Sequence, residues 1–306
     1  MATATEFRYP TGARPLLIEE TARRRRIETR IASLLGERGF DEIVLPIIDF
    51  AEPYSGVVDR GAVRQSYRFV DRDGELVAIR SDFTPMVARA LAPALTAAQL
   101  PLRVWYRGDV IRCEATRLGA NRELFQIGAE LVGDASVEAD IEAMQLAAQI
   151  VTSFGIEPLV VYNDVSLVEQ FAPDVREALV TKRMRDGLPP LAAKMIAGTV
   201  TLDDLPRAIA ERLRRIAGVL DPERFVLHLD DVDTGSGYYT GLRFRVYGTS
   251  ASLWDSGAPE GGQTRVSVPR KGSLAEGGRY DNLYERFGAR AAAVGFTFTI
   301  DDLERD

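Results

Sequence analysis

The sequence predicts an α+β fold, and three observations carry that expectation. Long strand candidates with alternating apolar and polar positions follow one another through short polar connections. Helical periodicities gather in groups beside them instead of separating every pair of strands, as a βαβ alternation would require. Neither a G-x-G-x-x-G following a strand nor a Walker pattern is present.

Taken in order, Leu16 to Arg38 is the first helix. Leu17, Ile27, Ile31, Leu34 and Leu35 recur at helical spacing, Gly39 stops the run, and the basic run Arg23 to Arg26 reads as a solvated face. FDEIVLPII follows as a strand that Pro46 confines to an edge or an end, because proline cannot donate to a ladder. YRFVDRDGELVAIR alternates on both sides of Asp73-Gly74 and predicts a β-hairpin. Thr84 is expected as the N-cap, and Pro85 as the first residue, of a helix running through Leu95. LRVWYRGDVIRCE and RELFQIGAELVG are two long strands joined by the polar loop ATRLGAN. SVEADIEAMQLAAQIVTSFG is an amphipathic helix with Ser136 and Asp134 available as caps, and EPLVVYN is a further strand. Residues 164–220 carry short helical periodicities and read as a helical insertion into one domain made of 1–163 and 221–306. The strands FVLHL, GYYTGLRFRVYG and TRVSV, the GGRYD loop, a helix NLYERFG and a last strand AVGFTFTI complete the chain.

Composition narrows the function. With 306 residues, 46% of them hydrophobic, the chain can build one large domain plus an inserted unit. A net charge of −7 is a poor match for a dedicated nucleic-acid binder. The opening MATATEFRYPTGARPL has no apolar core of a secretory signal, and no run of about 20 apolar residues offers a membrane span, so a cytoplasmic protein is expected. Cys113 is the single cysteine and His228 the single histidine, which excludes an internal disulfide and leaves no Cys/His zinc cluster. His228, in the apolar run FVLHLDD, reads as a core or edge histidine. No metal and no cofactor is expected.

Six separated segments then line up in order: GFDEIVLPIID with Pro46, RSDFTP at Arg80 to Pro85, IRCE with Arg112 and Glu114, RELFQIGAE at Arg122 to Glu130, GYYTG at Gly237 to Gly241, and GGRYDNL. Together they resemble the catalytic domain of class II histidyl-tRNA synthetase over nearly the whole chain. The resemblance implies a six-stranded antiparallel sheet flanked by helices, a homodimer built around the Pro46 strand, and a histidine pocket. In it, Asp82 and Thr84 match the ligands of the α-amino group, with Asp where the synthetase usually has Glu. Gln126 matches a ligand of the backbone end, and Glu130, Tyr239 and Tyr280 match the residues that hold the ring. Arg112, the second-motif arginine, joins this ligand-binding set. Strand alternation independently puts Arg122, Leu124, Gln126, Gly128 and Glu130 on one face, with Gly128 expected to leave room between Gln126 and Glu130. Gly277 and Gly278 are expected to let the chain approach the ligand, Arg279 and Asp281 to hold the loop, and an ionised Glu130 to accept the ring N–H.

The nucleotide chemistry of a synthetase is not matched. Its catalytic arginine corresponds to Thr234 in TGSGYY. The third motif, normally Glu-Arg-Leu, reads Asp301-Asp302-Leu303. The adenine-stacking aromatic corresponds to Leu124, with Phe125 on the opposite face, and a basic residue of the preceding loop is Ala120. Each lost contact between a charged group and phosphate is worth roughly 1.5–3 kcal/mol, against about −5 kcal/mol for a ligand of 0.1–1 mM affinity. No catalytic residue is therefore assigned. No anticodon-binding domain follows within the 306 residues, so tRNA is not expected as a partner. A synthetase-like histidine pocket without ATP chemistry resembles the regulatory subunits of ATP phosphoribosyltransferase. That resemblance implies a partner, the short-form catalytic subunit, in the first step of histidine biosynthesis, and free histidine as the feedback ligand. Two alternatives remain: a truncated histidyl-tRNA synthetase paralogue that activates an amino acid, and a histidine-sensing module for another partner.

Overall fold

The computed structural model describes residues 9–55, 66–95, 100–113, 121–231, 237–248 and 272–303, with the side chain of Asp302 left out. Thr234, Glu114, Ala120 and the TRVSV segment lie outside the described residues.

Helix α1 (Ile18–Glu37) buries Ile27, Ile31, Leu34 and Leu35 on one stripe, as their spacing requires, and leaves Arg23, Arg25 and Arg26 exposed. Gly39, at φ +75°, turns the chain out of it. The FDEIVLPII run does not form one strand. It splits into β1 (Asp41–Glu42) and β2 (Ile48–Phe50), with Pro46 between them. β2 joins β3 (Arg68–Val70) and β4 (Leu76–Ile79) in a separate sheet of order β2-β4-β3. The β3–β4 turn is the expected hairpin. Gly74 takes φ +89°, and the Asp71 carboxylate accepts the backbone N–H groups of Asp73 and Glu75, both at 2.9 Å.

Helix α2 (Thr84–Leu91) is shorter than expected and is capped differently. Thr84 is its first residue, and Asp82 Oδ1 accepts the Thr84 N–H at 3.1 Å. The Thr84 hydroxyl is thereby free to act elsewhere. Strands β5 (Leu102–Ile111) and β6 (Glu123–Val132) pair antiparallel over their full lengths. Helix α3 (Val137–Thr152) starts at Ser136, whose Oγ accepts the Ala139 N–H at 3.2 Å, while Asp134 accepts the Ser136 N–H at 2.8 Å. After β7 (Pro158–Asp164) come α4 (Ser166–Glu169), α5 (Pro173–Val180), α6 (Pro190–Ala197) and α7 (Arg207–Ala217). Their apolar residues, among them Leu167, Leu179, Met195, Leu213 and Ile216, join the same core cluster as α1, α3 and the sheet.

The last elements are β8 (Phe225–Leu227), β9 (Leu242–Gly248), β10 (Ala275–Arg279), β11 (Ala293–Thr299) and α8 (Ile300–Leu303). GGRYD is not a loop: Gly277, Gly278 and Arg279 lie inside β10, between β9 and β11. NLYERFG forms only a four-residue 3₁₀ turn, Tyr284–Phe287.

The main sheet has eight strands in the order β1-β5-β6-β11-β10-β9-β7-β8 and is mixed, not six-stranded and antiparallel. The six inner strands are antiparallel to one another, and the short β1 and β8 add parallel to the two ends. The count of six comes from the resemblance; β1 and β8, which lie within the expected strands FDEIVLPII and FVLHL, are the two it leaves out. One face of this sheet buries Trp105, Ile127, Phe244, Phe296 and Phe298 under α1 and α3, each fully buried side chain contributing roughly 1.5–3 kcal/mol. The close packing needs Gly277. A Cβ there would lie 2.4 Å from the Gly295 carbonyl oxygen and 2.5 Å from the Phe244 ring. No helix among the described residues is long and apolar enough to cross a membrane.

Candidate functional site

The opposite face of the sheet carries the residues singled out by sequence. Register places Val104, Glu130, Gly295 and Gly278 in one row across β5, β6, β11 and β10, and Tyr106, Gly128, Thr297 and Glu276 in the next. Glu130 is 1% exposed. Its Oε1 accepts the Thr84 hydroxyl at 2.9 Å and the Tyr106 hydroxyl at 3.3 Å, and its Oε2 accepts the Tyr280 hydroxyl in a short contact. The Tyr106 and Thr297 hydroxyls lie 2.7 Å apart. Two glycines make this arrangement possible. A Cβ on Gly295 would fall 1.5 Å from Glu130 Oε2, and one on Gly128 would fall 2.3 Å from the Tyr106 hydroxyl oxygen. The space at Gly128 therefore belongs to the Tyr106 side chain and is not open room between Gln126 and Glu130. Likewise Gly278 faces the Tyr239 ring, 2.7 Å from an added Cβ, so the glycine pair seats Phe244 on one face of the sheet and Tyr239 on the other.

Glu130 is the electrostatic centre of the site. Burial pushes its carboxyl up to about 8; the Tyr280, Thr84 and Tyr106 hydroxyls oppose the shift and the Asp82 charge adds to it. In the unliganded protein this favours the protonated carboxyl at neutral pH; the ionised Glu130 expected from sequence belongs to the ligand-bound state. Burial likewise raises Tyr106 and Tyr280 well above the usual phenol range, so both stay hydroxyl donors.

The remaining residues surround this centre. Asp82, raised by burial with the Arg112 guanidinium opposing, accepts the Tyr238 hydroxyl at 3.1 Å. Arg112 continues β5, its N–H donating to the Arg122 carbonyl at 3.0 Å. The Tyr238 ring lies 5.0 Å from Tyr239 and meets Tyr280 edge-on at 6.0 Å. Gln126 is buried on the same face of β6, opposite Gly108 and Thr299. Phe83 stacks on Tyr106 at 4.4 Å and fixes that ring from the α2 side. Asp82, Thr84, Glu130, Tyr239 and Tyr280 are thus drawn into one connected group, with Gln126 on its floor and Arg112 at its Asp82 edge.

Sequence reasoning missed Tyr106, Tyr238 and Thr297. The signal for Tyr106 was present: aligning LRVWYRGDV antiparallel to LFQIGAELV sets a tyrosine opposite a glycine. Arg279 does hold its surroundings, but as a buried clamp: its Nε donates to Asp140 at 2.8 Å and its Nη1 to Asp281 at 3.0 Å, while Arg212 of α7 donates to Asp140 at 2.7 Å. At the third-motif position, Asp301 is engaged by Arg24 of α1 at 2.7 Å.

As chemistry, the site is a buried carboxyl ringed by tyrosine and threonine hydroxyls, with a second carboxyl, Asp82, beside it. An ionised carboxylate offers about four acceptor positions. Once Glu130 gives up its proton, three hydroxyls occupy three of them and one is left for a ligand N–H.

Comparison with known proteins gives a consistent picture. The histidyl-tRNA synthetase family profile matches residues 12–197 and 169–303. A protein of Moorella thermoacetica named ATP phosphoribosyltransferase regulatory subunit is 27% identical, covering 99% of this chain and 82% of its own. A protein of the same name from Symbiobacterium thermophilum is 30% identical, covering 98% and 79%. The solved structure of an ATP phosphoribosyltransferase regulatory subunit/histidyl-tRNA synthetase from Bacillus halodurans superposes with a TM-score of 0.76 at 24% identity, covering 96% of this chain and 82% of that one.

Proposed function

The chain belongs to the histidyl-tRNA synthetase family, and we propose that within it the protein is a regulatory subunit of ATP phosphoribosyltransferase that binds free histidine at Glu130 and has no amino-acid-activating activity of its own. The role in the first step of histidine biosynthesis rests on the relatives that share nearly the whole chain. The single observation that carries the ligand is Glu130: a buried carboxyl held by the Thr84, Tyr106 and Tyr280 hydroxyls, which as a carboxylate keeps one further acceptor position. An imidazole N–H fits that position, and the α-ammonium has Asp82 nearby. The loss of activation chemistry is supported by Thr234 and Asp302 at the positions of two synthetase arginines. The assembly comprises a homodimer of this chain and the short-form catalytic subunit, with no tRNA and no cofactor, in the cytoplasm. Residues 164–220 are proposed as an insertion that shares the core of the surrounding domain.

The test is reconstitution. The protein, mixed with a short-form catalytic subunit, is expected to form a complex that makes phosphoribosyl-ATP and loses rate on addition of histidine. Calorimetric titration of the protein alone is expected to show histidine binding. Histidine-dependent exchange of pyrophosphate into ATP by the isolated protein, above a no-enzyme control, would instead establish the activating paralogue.

A further inference from the structure

Tyr284 begins the 3₁₀ turn that packs below α2, four residues after Tyr280. Its side chain is 0% exposed, and its hydroxyl has no hydrogen-bond partner among the described residues. It belongs to the cluster that contains Tyr239, Tyr280, Ala88 and Ala293, which is the pocket side of the sheet. Burial and then the Glu130 charge push its phenol pKa up, so it stays a hydroxyl, and it acts in turn on Tyr280, which puts the phenol within electrostatic reach of both. An unpartnered hydroxyl in such a place is destabilising unless something supplies the missing bond. On this side of the sheet the Glu130 carboxylate thus has one acceptor position to spare and Tyr284 one unused donor.

We propose that Tyr284 is a specificity-determining residue of this pocket: its hydroxyl donates to the bare ring nitrogen of a neutral imidazole whose N–H is held by Glu130. The inference rests on histidine being the ligand. A ring with one donor and one acceptor nitrogen satisfies both groups at once, whereas a ring lacking the acceptor leaves the Tyr284 hydroxyl orphaned. Discrimination of this kind comes from the polar group the wrong ligand fails to satisfy.

The experiment compares wild type with Tyr284→Phe, which keeps the ring and removes only the hydroxyl. Both are titrated calorimetrically with histidine and with pyrrolylalanine, in which a C–H replaces the acceptor nitrogen. Each is also melted without ligand. Tyr284→Phe is expected to bind histidine about fivefold more weakly, to bind pyrrolylalanine as wild type does, and to melt no lower than wild type. Wild type that binds histidine while Tyr284→Phe binds it equally well overturns this inference and leaves the histidine pocket standing. Wild type silent to millimolar histidine overturns both. A ligand-free variant melting several degrees lower overturns the inference alone, since the hydroxyl would then be satisfied within the protein.

Discussion

At the scale of single residues, the arrangement around Glu130 couples folding, and with it the proposed binding, to protons. Its folded-state pKa of about 8 lies above the ordinary 4.5, so between these values the folded protein binds more protons than the unfolded chain. The contribution to stability is complete below about pH 4.5 and is lost as pH rises through 8. At about 1.4 kcal/mol for each tenfold change in proton affinity, the loss amounts to a few kcal/mol. Urea denaturation at pH 5.5 and pH 8.5 is expected to show this decline in wild type and a flatter profile in Glu130→Gln; equal slopes in the two proteins would discard Glu130 as the source. Ligand binding reverses the preference. A donor at Glu130 favours the carboxylate, so histidine binding near pH 7 is expected to release protons, and its calorimetric enthalpy should vary with the ionisation enthalpy of the buffer. A buffer-independent enthalpy would mean that Glu130 does not meet the ligand. In the same titrations Glu130→Gln should weaken binding by about 1.5–3 kcal/mol and Tyr280→Phe by about 1 kcal/mol. Much of this site was legible: alternation alone aimed Gln126 and Glu130 at one place. Tyr106 is legible only through pairing, because a tyrosine in an apolar strand reads as core until the antiparallel partner sets it opposite Gly128.

At the scale of elements, pairing between β6 and β11 depends on a glycine that the sequence reading passed over. AVGFTFTI reads as a strand, and Gly295 inside it looks like a flaw. The register shows its purpose, since Gly295 sits opposite Glu130 and an added Cβ would meet Oε2 at 1.5 Å and the Ala129 carbonyl oxygen at 2.6 Å. Gly295→Ala must displace either the carboxyl or the strand, and should cost about 1–3 kcal/mol, the usual range for overpacking. It should also abolish histidine binding. A variant with wild-type stability and affinity would show that the Glu130 side chain can simply turn aside. The same logic explains what was and was not readable. β5, β6 and α3 are long, with many periods to count, and their expected spans differ from the observed ones by a residue or a few. The Gly-Gly of β10 has no side chains to alternate, so a central strand looked like a loop. Pro46 was read correctly as an edge signal, yet it separates two strands belonging to different sheets.

At the scale of the whole molecule, the surface left over argues for a second copy of the chain. The segment around Pro46 and one face of the sheet β2-β4-β3 expose Val44, Ile47, Ile48, Phe50 and Phe69, Val44 and Ile47 by more than half of their area. In register, Phe50, Val77 and Phe69 form one apolar row, with Ile48 and Ile79 in the next pair. Scattered apolar residues are normal on a surface, but a contiguous group on an open-edged sheet invites pairing. The backbone beneath it is fixed, because the buried Arg80 donates to the Leu45 carbonyl at 3.0 Å and the Pro46 carbonyl at 3.3 Å and rests on the Phe83 ring. An isologous contact would use this patch on both copies and close as a dimer. Sedimentation at micromolar concentration is expected to give twice the chain mass of 33.7 kDa for wild type. A charge at the contact must be desolvated to be buried there, so Ile48→Glu and Phe50→Glu are expected to sediment as monomers. Neither residue is buried within the chain, at 49% and 46% exposure, so both variants should keep their helical circular dichroism and denature at nearly the wild-type urea concentration per monomer. Wild type sedimenting as a 33.7 kDa monomer, or both variants remaining dimeric, would place the self-association elsewhere or nowhere.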